Sequence, residues 1–355
     1  MLAALLVEPH KIDLRDIEKP GCGPGTMLLD MKATAICGTD LETYRHAKVA
    51  LPRILGHETT GIVVDKGKDV SKFNIGDRIV VNPIVSCGMC RLCFDGKDYL
   101  CPLGGLMGRD LDGTFAEYVV VNESNAYILP DELAFTEGTQ LQTLATVYHA
   151  QKRLQIEPGQ SALVVGLGAA GLLHVQLAKL SGATPLVVTT RSQSKLDLAK
   201  QLGADVAIRL TDDNAAAQIR EATHGNGPDI VIEAVGVPST ATFSLDVVAP
   251  GGKVLMFGIF HGTLDKDFNT NLIYYKEINL IGSRAAGKGD WQPAINLVKS
   301  GGISLKPLLT HQLPLHEIQK AFELMDNGTP ELIRIALLGI DHDRINSSTQ
   351  TNTEE

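Results

Sequence analysis

Cys87, Cys90 and Cys93 are separated by two residues each, and Cys101 follows after seven more, in the run CGMCRLCFDGKDYLC. Four thiolates in one short loop can close a tetrahedral Zn²⁺ site with no open position, which is a structural site. The alternatives are disulfides or four unrelated buried thiols. The chain has 355 residues and 6 cysteines, so this spacing suits a metal better than a disulfide framework. Upstream stand two further groups of ligand types, CGTD from Cys37 to Asp40 and GHE from Gly56 to Glu58. A thiolate and an imidazole both suit Zn²⁺, although Cys37 or His57 taken alone could be an ordinary core residue.

A second kind of chemistry is written in LVVGLGAAGLLHVQLAK, where Gly166, Gly168 and Gly171 form GxGxxG between an apolar run and a helical pattern with Leu173, Leu177 and Leu180 in register. In that context the first glycine makes a tight turn, the second admits a pyrophosphate to the backbone, and the third lets helix and strand pack closely. A glycine-rich turn without ligand is the plainer alternative, and the context argues against it. An NAD site usually places Asp or Glu about 20 residues further on, at the end of the next strand. Here VVTTRSQSK puts Thr190 at that position, followed by Arg191 and, four residues later, Lys195. Loss of the carboxylate removes its repulsion of a 2′-phosphate, and Arg191 offers a bidentate cation. NADP(H) is therefore expected in preference to NAD(H). The alternative is that Arg191 is a solvated helix-start residue and either cofactor binds.

These motifs need elements to hold them. From Leu2 to about Ala126 short β-type segments such as Gly61 to Asp65 and Arg78 to Asn82 are broken by glycine and proline, which predicts a small, mostly β domain. From about Gly159 strands alternate with helices: Ala162 to Val165, Leu172 to Leu180, Leu186 to Thr190, then Asp229 to Val235, Lys253 to Gly258 and Ile278 to Gly282. Such alternation predicts an α/β unit, a doubly wound parallel sheet of about six strands. Leu315 to Asn327 reads as a helix with Ile318, Phe322 and Met325 on one face and Gly328 as its cap. The tail from Asp341 is polar, and disorder is expected there.

The formal net charge of -9 without a compensating basic cluster disfavours nucleic acid. Met1 to Val7 is too short for a signal-peptide core, and Ala162 to Leu180 is interrupted by His174, Gln176 and Lys179. A cytoplasmic protein outside the membrane is expected.

The order of these motifs resembles the zinc-dependent alcohol dehydrogenases of the medium-chain dehydrogenase/reductase family, specifically their polyol and threonine dehydrogenase branches. The likeness spans residues 1 to 340 and includes GDRIVV at Gly76, DGTFAEYVVV at Asp112 and PGGKVLMFG at Pro250. It implies a GroES-like, mostly β catalytic domain over residues 1–150 with its zinc lobe at 87–101. A Rossmann domain over 151–288 would follow, then a segment over 289–340 returning to the first domain and a tail over 341–355.

The resemblance further implies that Cys37 and His57 bind a catalytic zinc, that Thr39 begins the proton relay, and that Asp40 orients His57. Gln142 falls where the family usually has Cys, Asp or Glu, which leaves either Gln142 or Glu58 to complete the catalytic zinc site. Glu42 occupies the position of a relay histidine. The implied reaction is reversible hydride transfer between a secondary alcohol or polyol and its ketone, in a homodimer or homotetramer. Tyr44, Leu103 and Met107 are candidates for the substrate lining. A primary alcohol and aldehyde dehydrogenase, a zinc-free quinone or enone reductase and a non-catalytic NADPH-binding protein are the alternatives.

Overall fold

The computed structural model describes residues 1–260, 263 and 267–340, so the tail expected from Asp341 lies outside the described residues. The N-terminal half is built on the strand Thr26–Ala35, whose alternating buried positions include Met27, Leu29 and Met31. It pairs antiparallel with Glu58–Lys66, Tyr118–Asn122 and Ile335–Leu338. Arg78–Val81, Ala126–Ile128 and His311–Pro314 complete a seven-stranded sheet. Leu2–Glu8, Lys11–Asp16 and Arg53–Ile54 form a second, smaller sheet. Between these layers lies one apolar core that includes Leu29, Leu55, Ile79, Phe115 and Phe322. Burying each such side chain stabilises the fold by about 1.5–3 kcal/mol. Directly after the long strand the chain turns into helix α1, Gly38–His46.

Helix α2, Leu141–Leu154, joins the two halves. It buries Leu141, Leu144, Ala145 and Val147 in the same core cluster as the second half. That half is a six-stranded parallel sheet of β1 Ala162–Val165, β2 Leu186–Thr190, β3 Val206–Arg209, β4 Ile230–Glu233, β5 Lys253–Met256 and β6 Asn279–Gly282. Its order is β3-β2-β1-β4-β5-β6. β1, β2 and β4 are almost wholly buried, and accordingly read as apolar runs that turn polar only at their C-terminal ends, Thr189 and Thr190 in β2 and Glu233 in β4. Five of the six strands fall where the sequence pattern predicts them. β3 carries no such pattern because it is a sheet edge with Val206 and Ala207 half-buried and Arg209 exposed.

Helix α3, Ala169–Leu180, leaves β1 through the glycine loop, and α4, Gln193–Gln201, leaves β2. Helix α5, Lys288–Lys299, packs on α2. The chain then re-enters the first sheet through His311–Pro314 and Ile335–Leu338. The helix expected over Leu315 to Asn327 is a 3₁₀ turn, Leu315–Glu317, followed by α6, Ile318–Asn327. It buries Ile318 and Phe322 and ends at Gly328 with φ 60°.

Candidate active site

Asp40 organises the start of α1. Its Oδ2 accepts the backbone N–H of Cys37 at 2.9 Å, and its Oδ1 accepts that of Gly56 at 3.2 Å. The same Oδ1 lies 3.2 Å from His57 Nδ1. With Asp40 as acceptor, Nδ1 carries the hydrogen and Nε2 presents its lone pair. Nε2 is 3.3 Å from Thr39 Oγ1. The structure thus brings together, from the ends of two adjacent strands, the four residues expected at one centre.

Cys37, His57 and Glu58 each offer a ligand atom within 4.8 Å of the others. Burial opposes a charge on His57, but the Asp40 carboxylate and the Cys37 thiol outweigh it and raise the imidazole well above its usual pKa. Thiolate, imidazole and carboxylate are zinc ligand types, each binding the metal in its deprotonated form. The residues present fit a zinc ion.

Glu58 is fully buried and held from two sides. Thr143 donates to its Oε1 at 2.9 Å, and Arg334 Nη1 stands 2.8 Å from its Oε2. The two form a buried ion pair. A carboxylate oxygen carries two lone pairs, so Oε2 can face a metal while it pairs with Arg334. Arg334 also donates to Ile36 O at 3.2 Å and to Thr143 Oγ1 at 2.9 Å. Neither Thr143 nor Arg334 was singled out from the sequence. The available signal was Arg334 itself, a lone cation within the apolar run LIRIALL, since arginine is almost never fully buried unless paired. Gln142, one residue before Thr143, directs its amide nitrogen to Thr146 Oγ1 at 3.4 Å and leaves its amide oxygen unpartnered among the described residues.

Of the other expected positions, Glu42 pairs with Arg45 at 3.2 Å and His46 at 3.5 Å. Tyr44 is a core residue, stacked on Phe322 with its hydroxyl donated to His10 O. Met107 is buried in the same core, and Leu103 is 74% exposed. Tyr44, expected as a candidate for the substrate lining, is thus held by packing instead.

The glycine loop opens α3. A Cβ at Gly171 would run into the carbonyl of Gly166, so helix–strand packing alone requires that glycine. Gly168, the N-cap of α3, is different: a Cβ there meets nothing within 4 Å. Nothing in the protein needs that space, which fits a pyrophosphate approaching the helix N-terminus. The loop also sits between β1 and β4, where the strand order reverses and doubly wound sheets bind ligands. Thr190 closes β2, Arg191 is exposed, and Lys195 on α4 is part-buried, with burial lowering its pKa against the pull of Glu331.

Cys87, Cys90, Cys93 and Cys101 converge in the lobe. Their sulfurs stand 3.5 Å apart for Cys90 and Cys93, 3.9 Å for Cys87 and Cys93, and 3.9 Å for Cys90 and Cys101. Four sulfurs at about 2.3 Å from one zinc lie roughly 3.8 Å apart. All six cysteines are free thiols. The backbone N–H of Met89 draws Cys87 down to about 6, while burial and the neighbouring thiols push Cys93 up to about 11. A dication removes that conflict by favouring every thiolate.

Residues 23–131 match the alcohol dehydrogenase GroES-like domain, and residues 169–300 match the zinc-binding dehydrogenase family. The L-threonine 3-dehydrogenase of Pyrococcus furiosus is 33% identical over 92% of this chain and 96% of its own length. The chain belongs to the zinc-dependent alcohol dehydrogenases of the medium-chain dehydrogenase/reductase family. The sorbitol dehydrogenase of Halalkalibacterium halodurans is 34% identical over 91% of this chain and 95% of its own. A zinc-binding dehydrogenase of Sinorhizobium meliloti bound to NADP superposes with a TM-score of 0.88 at 29% identity, covering 95% of this chain and 98% of that one. Like this family, the protein is a zinc-dependent NAD(P) dehydrogenase acting on CH–OH, with a four-cysteine structural zinc site. No helix among the described residues is long and apolar enough to cross a membrane.

Proposed function

We propose that the protein interconverts a secondary alcohol or polyol and its ketone with NADP(H) in preference to NAD(H). The observation that carries the cofactor reading is the end of β2, where Thr190 and Arg191 stand in place of a carboxylate. The substrate class is supported by the threonine and sorbitol dehydrogenase relatives. Cys37, His57 and Glu58 are the catalytic zinc ligands in this reading, with Gln142, the residue before Thr143 on α2, as the neutral alternative to Glu58. When bound, zinc supplies the Lewis acidity that lowers an alcohol's pKa, and the nicotinamide accepts the hydride.

The chain's own residues do the rest. Thr39 Oγ1 accepts the hydrogen bond of the substrate's hydroxyl and, as that proton arrives, passes its own proton on toward solvent, the relay running the other way in the reverse direction. Asp40 keeps His57 in one tautomer and orientation. Arg334 and Thr143 hold the Glu58 carboxylate in place while one of its lone pairs remains usable. Gly168 admits the pyrophosphate to the backbone, with Gly166 making the tight turn and Gly171 the close helix–strand contact.

The domain division proposed is 1–150 for catalysis and 151–288 for the cofactor, with 289–340 returning to the first. A homodimer or homotetramer is the assembly proposed, supported by the exposed edge strand β6 with Leu280 and the exposed Tyr274 and Tyr275 beside it. A cytoplasmic location accords with six free thiols. The test is metal content per chain together with fluorescence titrations of NADPH and NADH and a screen of secondary alcohols and polyols. Two zincs per chain, tighter NADPH binding and turnover are expected. One zinc that survives Cys37→Ser would overturn the catalytic reading, and equal affinities would overturn the cofactor preference.

A further inference from the structure

The cofactor's adenosine end is bounded by more than β2 and the start of α4. The edge strand β3 runs parallel beside β2, with Arg209 in register with Thr190 and the Leu210 N–H donating to Thr190 O at 3.0 Å. In-register residues of neighbouring strands project to the same face of the sheet. The Arg209 guanidinium reaches from β3 to the first residue of α4, where Nη2 donates to Gln193 Oε1 at 2.9 Å. It therefore reaches past the Arg191–Ser192 segment, which lies between Thr190 and Gln193 in the chain. Both arginines are exposed, and neither makes an ion pair among the described residues. Nε and Nη1 of Arg209 have no acceptor among the described residues.

Lys195, the other cation expected here from the sequence, is placed differently. It is part-buried with the Glu331 carboxylate nearby. The same turn of chain covers that side of α4, because Ser192 and Ser194 hydroxyls donate to Pro330 O at 3.1 and 3.4 Å. A second anion placed on Lys195 would meet Glu331 and would have to enter a partly desolvated site.

We propose that Arg209 is a specificity-determining residue of the cofactor site, the second cation that, with Arg191, flanks the 2′-phosphate of NADP(H). This rests on the NADP(H) reading above. Two guanidinium forks, one from the end of β2 and one from β3 in register with Thr190, can each present paired N–H donors to one phosphate, which a lysine cannot do. The hydrogen bond to Gln193 pre-orients Arg209, so little side-chain freedom is lost when the phosphate arrives.

The experiment is fluorescence titration of NADPH and NADH on the zinc-loaded protein and on Arg209→Met, Arg209→Lys and Lys195→Met, with thermal melts to confirm folding. The expected result is that Arg209→Met weakens NADPH binding tenfold or more and NADH binding less than twofold, with Arg209→Lys intermediate. Equal NADH affinity separates loss of a phosphate contact from a general disturbance of the site. A parent protein that favours NADPH while Arg209→Met keeps the same NADPH-to-NADH ratio overturns this inference and leaves the NADP(H) reading standing. A larger loss for Lys195→Met than for Arg209→Met also overturns it. A parent protein without preference overturns the reading on which it rests.

Discussion

Replacing Arg334 by methionine keeps an unbranched side chain of similar length and removes only the charge and the donors. Glu58 is 0% exposed and Arg334 5%, so neither can turn to water once the other is gone. Removing one member of such a pair leaves an uncompensated buried charge and costs about 3–5 kcal/mol. That range includes the lost hydrogen bonds to Ile36 O and Thr143 Oγ1, each worth about 1 kcal/mol. Since about 1.4 kcal/mol is a factor of ten, the folded-to-unfolded ratio should fall by roughly two to three and a half orders of magnitude. Adding Glu58→Gln to Arg334→Met removes the stranded charge, so the double variant should be less destabilised than the sum of the singles by at least about 2 kcal/mol. The assay is urea denaturation of the parent, both singles and the double, with zinc content measured on each. Midpoints should shift at constant slope. A cost below about 1 kcal/mol for Arg334→Met, with additive singles, would refute the argument and mean that Glu58 is compensated by another group.

Three further outcomes follow from the same structure. Gly171→Ala should destabilise the protein because its Cβ meets the Gly166 carbonyl, whereas Gly168→Ala should melt like the parent yet bind dinucleotide at least tenfold more weakly by fluorescence titration. Equal binding by Gly168→Ala would remove the pyrophosphate from that position. His174 is fully buried, and desolvation lowers its pKa from 6.5 to about 3. The unfolded chain therefore binds a proton below about pH 6.5 that the native state refuses, so stability is lost as pH falls from there toward 3, at up to about 1.4 kcal/mol per unit. His174→Asn, which retains an acceptor for Gln151, should flatten denaturation midpoints between pH 6 and 4, and parallel profiles would exclude His174 as the cause. Thr39→Val should lower kcat by about 10²–10⁴ with zinc content unchanged, and a parent-like kcat would take the proton transfer away from Thr39.

The two parts of the fold and most of the site were legible in the sequence because they are local. CxxCxxC with a nearby fourth cysteine, CGTD, GHE and GxGxxG each place their functional atoms within a few residues, on a loop or at the junction of a strand and a helix. Buried parallel strands such as ALVV and IVIE announce themselves through apolar runs, broken in the second only by Glu233 at its end. Edge strand β3 does not, because half its surface meets water and selects no pattern. Tyr44 stands one helical face from Cys37 in sequence, yet its packing partner Phe322 comes from the far end of the chain.

What only the tertiary structure decided is how the charged centre is balanced. Glu58 meets Thr143 across 85 residues of chain, and Arg334 meets Ile36 across 298. Those contacts exist because the chain returns through Ile335–Leu338 to pair with Thr26–Ala35, carrying a cation into a site whose anion was laid down at Glu58. No local spacing encodes that return. Strand pairing and burial impose it, and a buried carboxylate that must find a counter-charge makes it necessary.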